Sequence, residues 1–228
     1  MSMPTPLINV MNNAARKASR LLMRDFGEVE QLQVSRKGPG DFVSEADKRT
    51  EQILHEELHK ARPGFGFLME EGGAIEGENA NERWIIDPID GTTNFLHGIP
   101  HFAISIAVER DKELIAGMVY EPVRDEVFWA ERNEGAYLNR QRLRVSGRSD
   151  MRDALLATGI PFGNRPGKKA FSAMLNVVMS RTAGVRRQGS AALDLAYVAA
   201  GRYEGFWETA LSPWDVAGGI VIVREAGG

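Results

Sequence analysis

The chain contains no cysteine. That excludes a disulfide scaffold, thiolate zinc, iron–sulfur clusters and a cysteine nucleophile together, and it suits a cytoplasmic protein. Charge of either sign is not in excess: 28 Lys and Arg against 31 Asp and Glu leave a net charge of −3, which argues against a general electrostatic nucleic-acid binder. No apolar run reaches the ~20 residues of a membrane span. Residues 1–10 lack a basic stretch followed by an apolar one, so no signal peptide is expected. Internal repeats and low-complexity tracts are missing too. What is present is ordinary globular composition, 43% hydrophobic and 26% charged over 228 residues, enough for one or two domains with a real core.

Hydrophobic spacing divides the chain. Residues 7–26 repeat Ile8, Met11, Ala15, Ala18, Leu22 and Phe26 at helical intervals, with Gly27 as the stop. A second helix is expected from the N-cap Ser44 to about residue 61, where Pro63-Gly64 ends it. From Trp84 to Ser146 the period falls to two, and runs at 102–109, 114–120 and 126–131 predict an antiparallel meander with turns at 110–112 and 122–125. Residues 154–226 alternate short strands (154–158, 184–187, 203–208) with helices (168–181, 190–200, 213–226), an α/β pattern. The expected organisation is an N-terminal part, 1–150, and a C-terminal part, 151–228.

The informative stretch is Trp84-Ile85-Ile86-Asp87-Pro88-Ile89-Asp90-Gly91-Thr92-Thr93-Asn94-Phe95. An apolar strand delivers Asp87 to its end, and a carboxylate there needs a partner. Asp90-Gly91-Thr92-Thr93 reads as a turn into a helix start, whose backbone N–H groups favour an anion. Two carboxylates three residues apart beside an anion cradle make sense when divalent cations neutralise them, and hard oxygen ligands select Mg²⁺. Other acids could join: Glu70-Glu71 at the end of a strand over 67–69, Asp47 one turn into the second helix on its apolar side, and Asp215 in the first turn after Ser212-Pro213. Taken singly, Asp47 and Asp215 could simply complement a helix N-terminus, and Asp90-Gly91 could be only a turn.

Residues 84–95 together with Trp214-Asp215-Val216-Ala217-Gly218-Gly219 resemble the two signatures of the inositol monophosphatases, lithium-sensitive Mg²⁺-dependent sugar phosphatases. The resemblance extends in order through 37–47, Glu70-Glu71 and 189–201, and is nearest to the bacterial SuhB-type members. It implies a layered α-β-α-β-α sandwich of the inositol monophosphatase/fructose-1,6-bisphosphatase kind, a homodimer, and two or three Mg²⁺ ions. Glu70, Asp87, Asp90, Asp215 and the Ile89 carbonyl would be metal ligands. Asp47 and Thr92, with Glu70, would serve the attacking water, and the Gly91 and Thr92 amides the phosphate. Gly189, Ser190, Ala191 and Glu208 match positions facing the sugar hydroxyls, and Lys37 a basic residue near the site. Gly72 stands where many members have Ser, and the family pattern continues beyond Gly228.

The implied activity is hydrolysis of a small polyol phosphate, myo-inositol 1-phosphate first. Fructose 1,6-bisphosphate, histidinol phosphate and nucleotide 3′-phosphates are alternatives on the same fold. A non-catalytic protein- or RNA-binding role, using Arg186-Arg187 or the arginines at 140, 142 and 144, is a rival of another class. Asp90-Gly91-Thr92 is also similar to the D-x-D-G-T signature of haloacid-dehalogenase-type phosphatases, but that pattern needs Asp at 88, which is Pro. His55-Glu56-Glu57-Leu58-His59 fits H-E-x-x-H, yet both imidazoles are expected on the solvated side of the helix. Gly163 to Lys169 has three residues between its glycines where a P-loop has four, and ends in Lys where Ser or Thr is required.

Overall fold

The computed structural model describes residues 3–28, 34–38, 41–163 and 165–228, with side chains at 3–28, 45–163 and 165–228. The first helix, α1 (Pro6–Gly27), starts where expected: the Thr5 hydroxyl accepts from the Ile8 amide at 3.2 Å and Pro6 occupies the first turn. A hairpin, β1 (Val34–Gly38) and β2 (Asp41–Ser44), leads directly into α2 (Glu45–Ala61). Then come β3 (Gly66–Met69), β4 (Gly73–Ile75), β5 (Glu82–Asp90) and the single-turn α3 (Thr92–Leu96). The meander follows as β6 (Ala103–Arg110), β7 (Glu113–Glu121), β8 (Glu126–Glu131), β9 (Gly135–Leu138) and β10 (Gln141–Arg142).

These strands form one eight-stranded sheet in the order β10-β9-β8-β7-β6-β5-β3-β4. The meander is antiparallel as expected, but β3 pairs with β5 in parallel. Beyond Asp150 the elements are β11 (Leu155–Thr158), α4 (Lys168–Met179), β12 (Gly184–Arg186), α5 (Ala191–Ala199), β13 (Gly205–Trp207) and α6 (Pro213–Ala226). Their strands make a second, all-parallel sheet in the order β12-β11-β13.

Alternation along the large sheet gives each face its own core. Trp84, Ile86, Ile104, Ile106 and Met118 pack on one side against Ile8, Met11 and Leu22 of α1 and Leu54 and Leu58 of α2. On the other side, Val119 and Phe128 meet Leu193 and Ala196 of α5 and Val221 and Ile222 of α6. That core reaches Ala157 of the small sheet, and Phe171 of α4 stacks near Trp207 of β13 at 6.4 Å. The layers therefore run α1/α2, large sheet, α5/α6, small sheet, α4, the expected α-β-α-β-α sandwich. The expected boundary near Asp150 falls just before a short 3-10 turn (Met151–Asp153).

One contact fixes the central layers. A Cβ on Gly117 of β7 would overlap the carbonyl oxygen of Gly218 in α6. A Cβ on Gly218 would stand 2.9 Å from the Ser105 hydroxyl and 3.1 Å from the Met118 carbonyl. One on Gly219 would stand 2.5 Å from Cβ of Leu195 in α5. The Gly218-Gly219 pair thus lets α6 nest between the sheet and α5. Asp215 lies one turn ahead of Gly218 on the same helix and is lowered onto the end of β5 by that fit.

Candidate active site

The first half of the site is the end of β5. This strand does not stop at Pro88: it continues to Asp90 with a break in register against β6 between Asp87 and Asp90. A proline removes one ladder donor, and the irregularity absorbs it. The irregularity also lets both acids reach one site although they are three residues apart in a strand. The Ile89 amide donates to Asp87 Oδ1 at 3.0 Å. Gly91 then takes φ +102°, where a Cβ would approach the carbonyls of His101 (3.1 Å) and Gly189 (3.3 Å), so only glycine turns the chain here.

Asp47 is buried in the first turn of α2, and the Thr92 hydroxyl sits between Asp47 Oδ1 at 3.1 Å and the Ile89 carbonyl at 3.0 Å. It can donate its one proton to either acceptor. The second half of the chain reaches back. The Ser190 hydroxyl (2.5 Å) and the Ala192 amide (2.6 Å) both donate to Asp90 Oδ2. Asp215 accepts from the Ser212 amide at 2.7 Å.

Electrostatics show how crowded the acids are. Burial, then the charges of Glu70, Asp90 and Asp215, hold the Asp87 carboxyl well above the usual carboxylate range, and it shares a hydrogen bond with Glu70. Asp90 is raised to about 7 by burial and by Asp215 and Glu70, against the lowering hydrogen bonds from Ser190 and Ala192. Burial raises Glu208 as well, partly offset by Arg187 and Arg165. Without a cation, these groups retain protons that exposed carboxyls would have lost.

A cavity of about 170 Å³ joins the parts, lined by Asp90, Gly91, Thr92, Gly189, Ala191, Glu208 and Asp215 among others. Asp47, Asp87, Ile89 and Ser190 are buried around it, within 2% exposure each. A larger cleft, about 610 Å³ beside α6, has a mixed-charge rim of Lys112, Glu113, Arg132 and Glu225 and none of the signature acids, so chemistry and not volume selects the site. Among the described residues no three acids or imidazoles already close on one point as a metal cage.

Glu208 and Gly159 directly follow the neighbouring strands β13 and β11, where the Thr158 hydroxyl donates to the Trp207 carbonyl at 2.8 Å. A Cβ on Gly159 would collide with the Glu208 carboxyl. Arg187, considered from the sequence only as a surface contact, lines the cavity, and the sequence reading missed Gly159 and Arg165, which line it too, and Asp194, a buried acid of α5 raised to about 8 by burial and by Asp90 and Glu208. None of these carries a spacing signal. The Lys37 side chain lies outside the described residues. His55 and His59 stack on each other at 5.8 Å, with His55 4.5 Å from Phe67. His55 is therefore half-buried against β3 and not simply solvated.

The raised carboxyls predict a stability profile. A folded-state pKa above the unfolded one means the folded protein holds a proton that the unfolded chain has lost, so stability falls as pH rises through the folded value. His101, lowered to about 4 by burial, contributes the opposite slope, but only below about pH 6.5. With chelator present, the melting temperature should therefore drop by several degrees between pH 6.5 and 8.5 as Asp90 and Asp194 ionise in the fold. A divalent cation should reverse the drop. A chelated melting temperature that is level or rising over that window would count against the cluster.

A profile of the inositol monophosphatase family matches residues 3–228. The chain belongs to the inositol monophosphatase family. It is 59% identical to an inositol-1-monophosphatase of Mesorhizobium japonicum over 97% of this chain and 84% of that protein. It is 48% identical to the Nus factor SuhB of Pseudomonas aeruginosa over 98% of this chain and 84% of that one. The crystal structure of the extragenic suppressor protein SuhB from Bartonella henselae superposes with a TM-score of 0.95 at 56% identity, covering 98% of this chain and 86% of that one. The fold and enzyme class expected from the two signatures, a layered sandwich and an inositol phosphatase, therefore stand. Among the described residues no helix is long and apolar enough to cross a membrane.

Proposed function

We propose that this chain hydrolyses myo-inositol 1-phosphate to inositol and inorganic phosphate in a Mg²⁺-dependent reaction. The observation that carries the reading is the burial of Asp87 and Asp90 against Glu70 and Asp215, since only a bound cation makes so many ionised carboxyls compatible. Four carboxylates bring about −4, which calls for two or three Mg²⁺ once a phosphate dianion enters. Glu70, Asp87, Asp90, Asp215 and the Ile89 carbonyl would hold the ions. Bound Mg²⁺ supplies Lewis-acid charge and lowers the pKa of ligated water.

This chain's own groups do the rest. Thr92 and Asp47, already within hydrogen-bond reach of each other, orient the attacking water. Glu70, beside Asp87, serves the same water. The Gly91 and Thr92 amides hold the phosphate, and Glu208 with the Gly189 and Ala191 backbone meets the polyol hydroxyls. Ser190 acts through Asp90, because its hydroxyl is committed to that carboxylate. Positioning and charge neutralisation account for phosphoryl transfer without a covalent phosphoenzyme. A homodimer in the cytoplasm belongs to the same reading.

Phosphate release from myo-inositol 1-phosphate, followed with EDTA, with added Mg²⁺ and with lithium, tests it. Chelation should abolish release, Mg²⁺ restore it and lithium inhibit it. Full activity in excess EDTA would sink the reading.

A further inference from the structure

Glu70, which shares a hydrogen bond with Asp87, sits where the sheet gives it little support. It opens the turn 70–72 between β3 and β4, and β4 is an exposed three-residue strand at the edge of the large sheet. Two hydrogen bonds fasten the backbone on either side of it. The Glu70 amide donates to the Ile86 carbonyl at 3.3 Å, beside Asp87. The Glu71 amide donates to Glu51 Oε2, across on α2, at 2.9 Å. Peptide units are planar, so the first bond fixes the plane before the Glu70 Cα and the second the plane after it. Together they set both backbone dihedrals of Glu70, and with them the direction of its side chain.

Glu51 is only 5% exposed, in the stripe of α2 that also carries Asp47, Leu54 and Leu58. An acid on the core side of a helix is costly to bury and persists only where it has partners. Residues four apart share a helix face, so one turn of α2 carries both Asp47, against Thr92, and Glu51, against the 70–71 peptide. Gly72 leaves space for this arrangement: a Cβ there would stand 3.1 Å from Glu51 Oε1. We propose that Glu51 is a positioning residue for cation binding, acting through the Glu71 amide to aim the Glu70 carboxyl at the ion held with Asp87. Helix α2 then sets the spacing between the water-orienting pair and that ligand. The inference rests on the Mg²⁺-dependent phosphatase reading and extends it to a residue outside the proposed ligand set.

Mg²⁺ alone, titrated calorimetrically into the chelator-stripped protein, reads this role without turnover. Glu51→Asp keeps the charge but falls one methylene short of the Glu71 amide, and Glu51→Ala removes charge and acceptor together. Both should weaken Mg²⁺ binding about tenfold or more. The Mg²⁺ needed for half-maximal phosphate release from myo-inositol 1-phosphate should rise by a similar factor. Glu51→Gln loses the charge but keeps a carbonyl oxygen at the same reach, and should recover most of the affinity. At saturating Mg²⁺ the KM for myo-inositol 1-phosphate should stay close to wild type in all three. Wild-type Mg²⁺ affinity in Glu51→Asp, or a Glu51→Gln as weak as Glu51→Ala, overturns the positioning role alone. So does a Glu51→Ala protein whose chelated melting temperature falls while its Mg²⁺ affinity does not. A wild-type protein that neither binds Mg²⁺ nor releases phosphate overturns the phosphatase reading and this inference with it.

Discussion

Asp87→Asn should lower kcat/KM by at least about a thousandfold, which corresponds to roughly 4 kcal/mol of transition-state stabilisation. Asparagine matches aspartate in size, and its carbonyl can still accept from the Ile89 amide, so the end of β5 keeps its shape. What goes is one negative charge in a buried set where each acid raises its neighbours. Its amide can donate to Glu70 where a shared proton was needed before. The chelated variant should therefore melt at the same temperature as the wild type or higher, because repulsion and burial of charge are both relieved. Phosphate release and thermal melts in EDTA measure the two halves separately. Activity within tenfold of wild type would remove Asp87 from the metal-binding set.

Gly117→Ala should cost about 3 kcal/mol of stability, at the upper end of what one added methyl does in a packed core. For a chain of this length that is roughly 6–12 °C in melting temperature. The reason is geometric. The new methyl meets the Gly218 carbonyl, a backbone atom of α6 that cannot rotate away, whereas at Gly159 the obstructing group is the mobile end of Glu208. The sheet cannot yield without breaking the β6–β7–β8 ladder, so α6 must lift. Since Asp215 rides on α6, divalent-cation affinity should weaken in parallel. A melting temperature within 2 °C of wild type would mean that α6 is not seated on Gly117.

How much of this was legible depends on period and on locality. The helices α1 and α6 and the strands β6 to β8 carry several repeats of their spacing, and their ends agree with the sequence reading to within a few residues. The β1–β2 hairpin, β4 and β10 are two to five residues long, too short to show a period at all. The parallel pairing of β3 with β5 joins segments about 17 residues apart through β4 and the chain that follows it, and nothing local in Phe67-Leu68-Met69 announces it. Pro88 argues for a strand end at Asp87, a rule the register break overrides.

The site followed the same division. Asp47, Glu70, Asp87, Asp90 and Asp215 were singled out because strand ends and helix first turns position carboxylates recognisably, and because two signatures are specific. That Asp90 would be gripped by Ser190 and Ala192, a hundred residues away, needed the fold. Arg165 escaped, and Arg187 was considered only as a surface contact, because an exposed arginine in a loop or after a short strand looks like any solvated side chain. Asp194 escaped because one acid in the helix Ala191–Ala199 reads as ordinary helix decoration until its burial is known.

The grip on Asp90 makes the site a mechanical joint. One oxygen of this carboxylate is tied to the start of α5, while the residue itself ends a strand of the large sheet. The strand end that carries Asp90 and the first turn of α5 are therefore held as one piece, and α5 runs on through Tyr203 to β13, the strand that precedes Glu208.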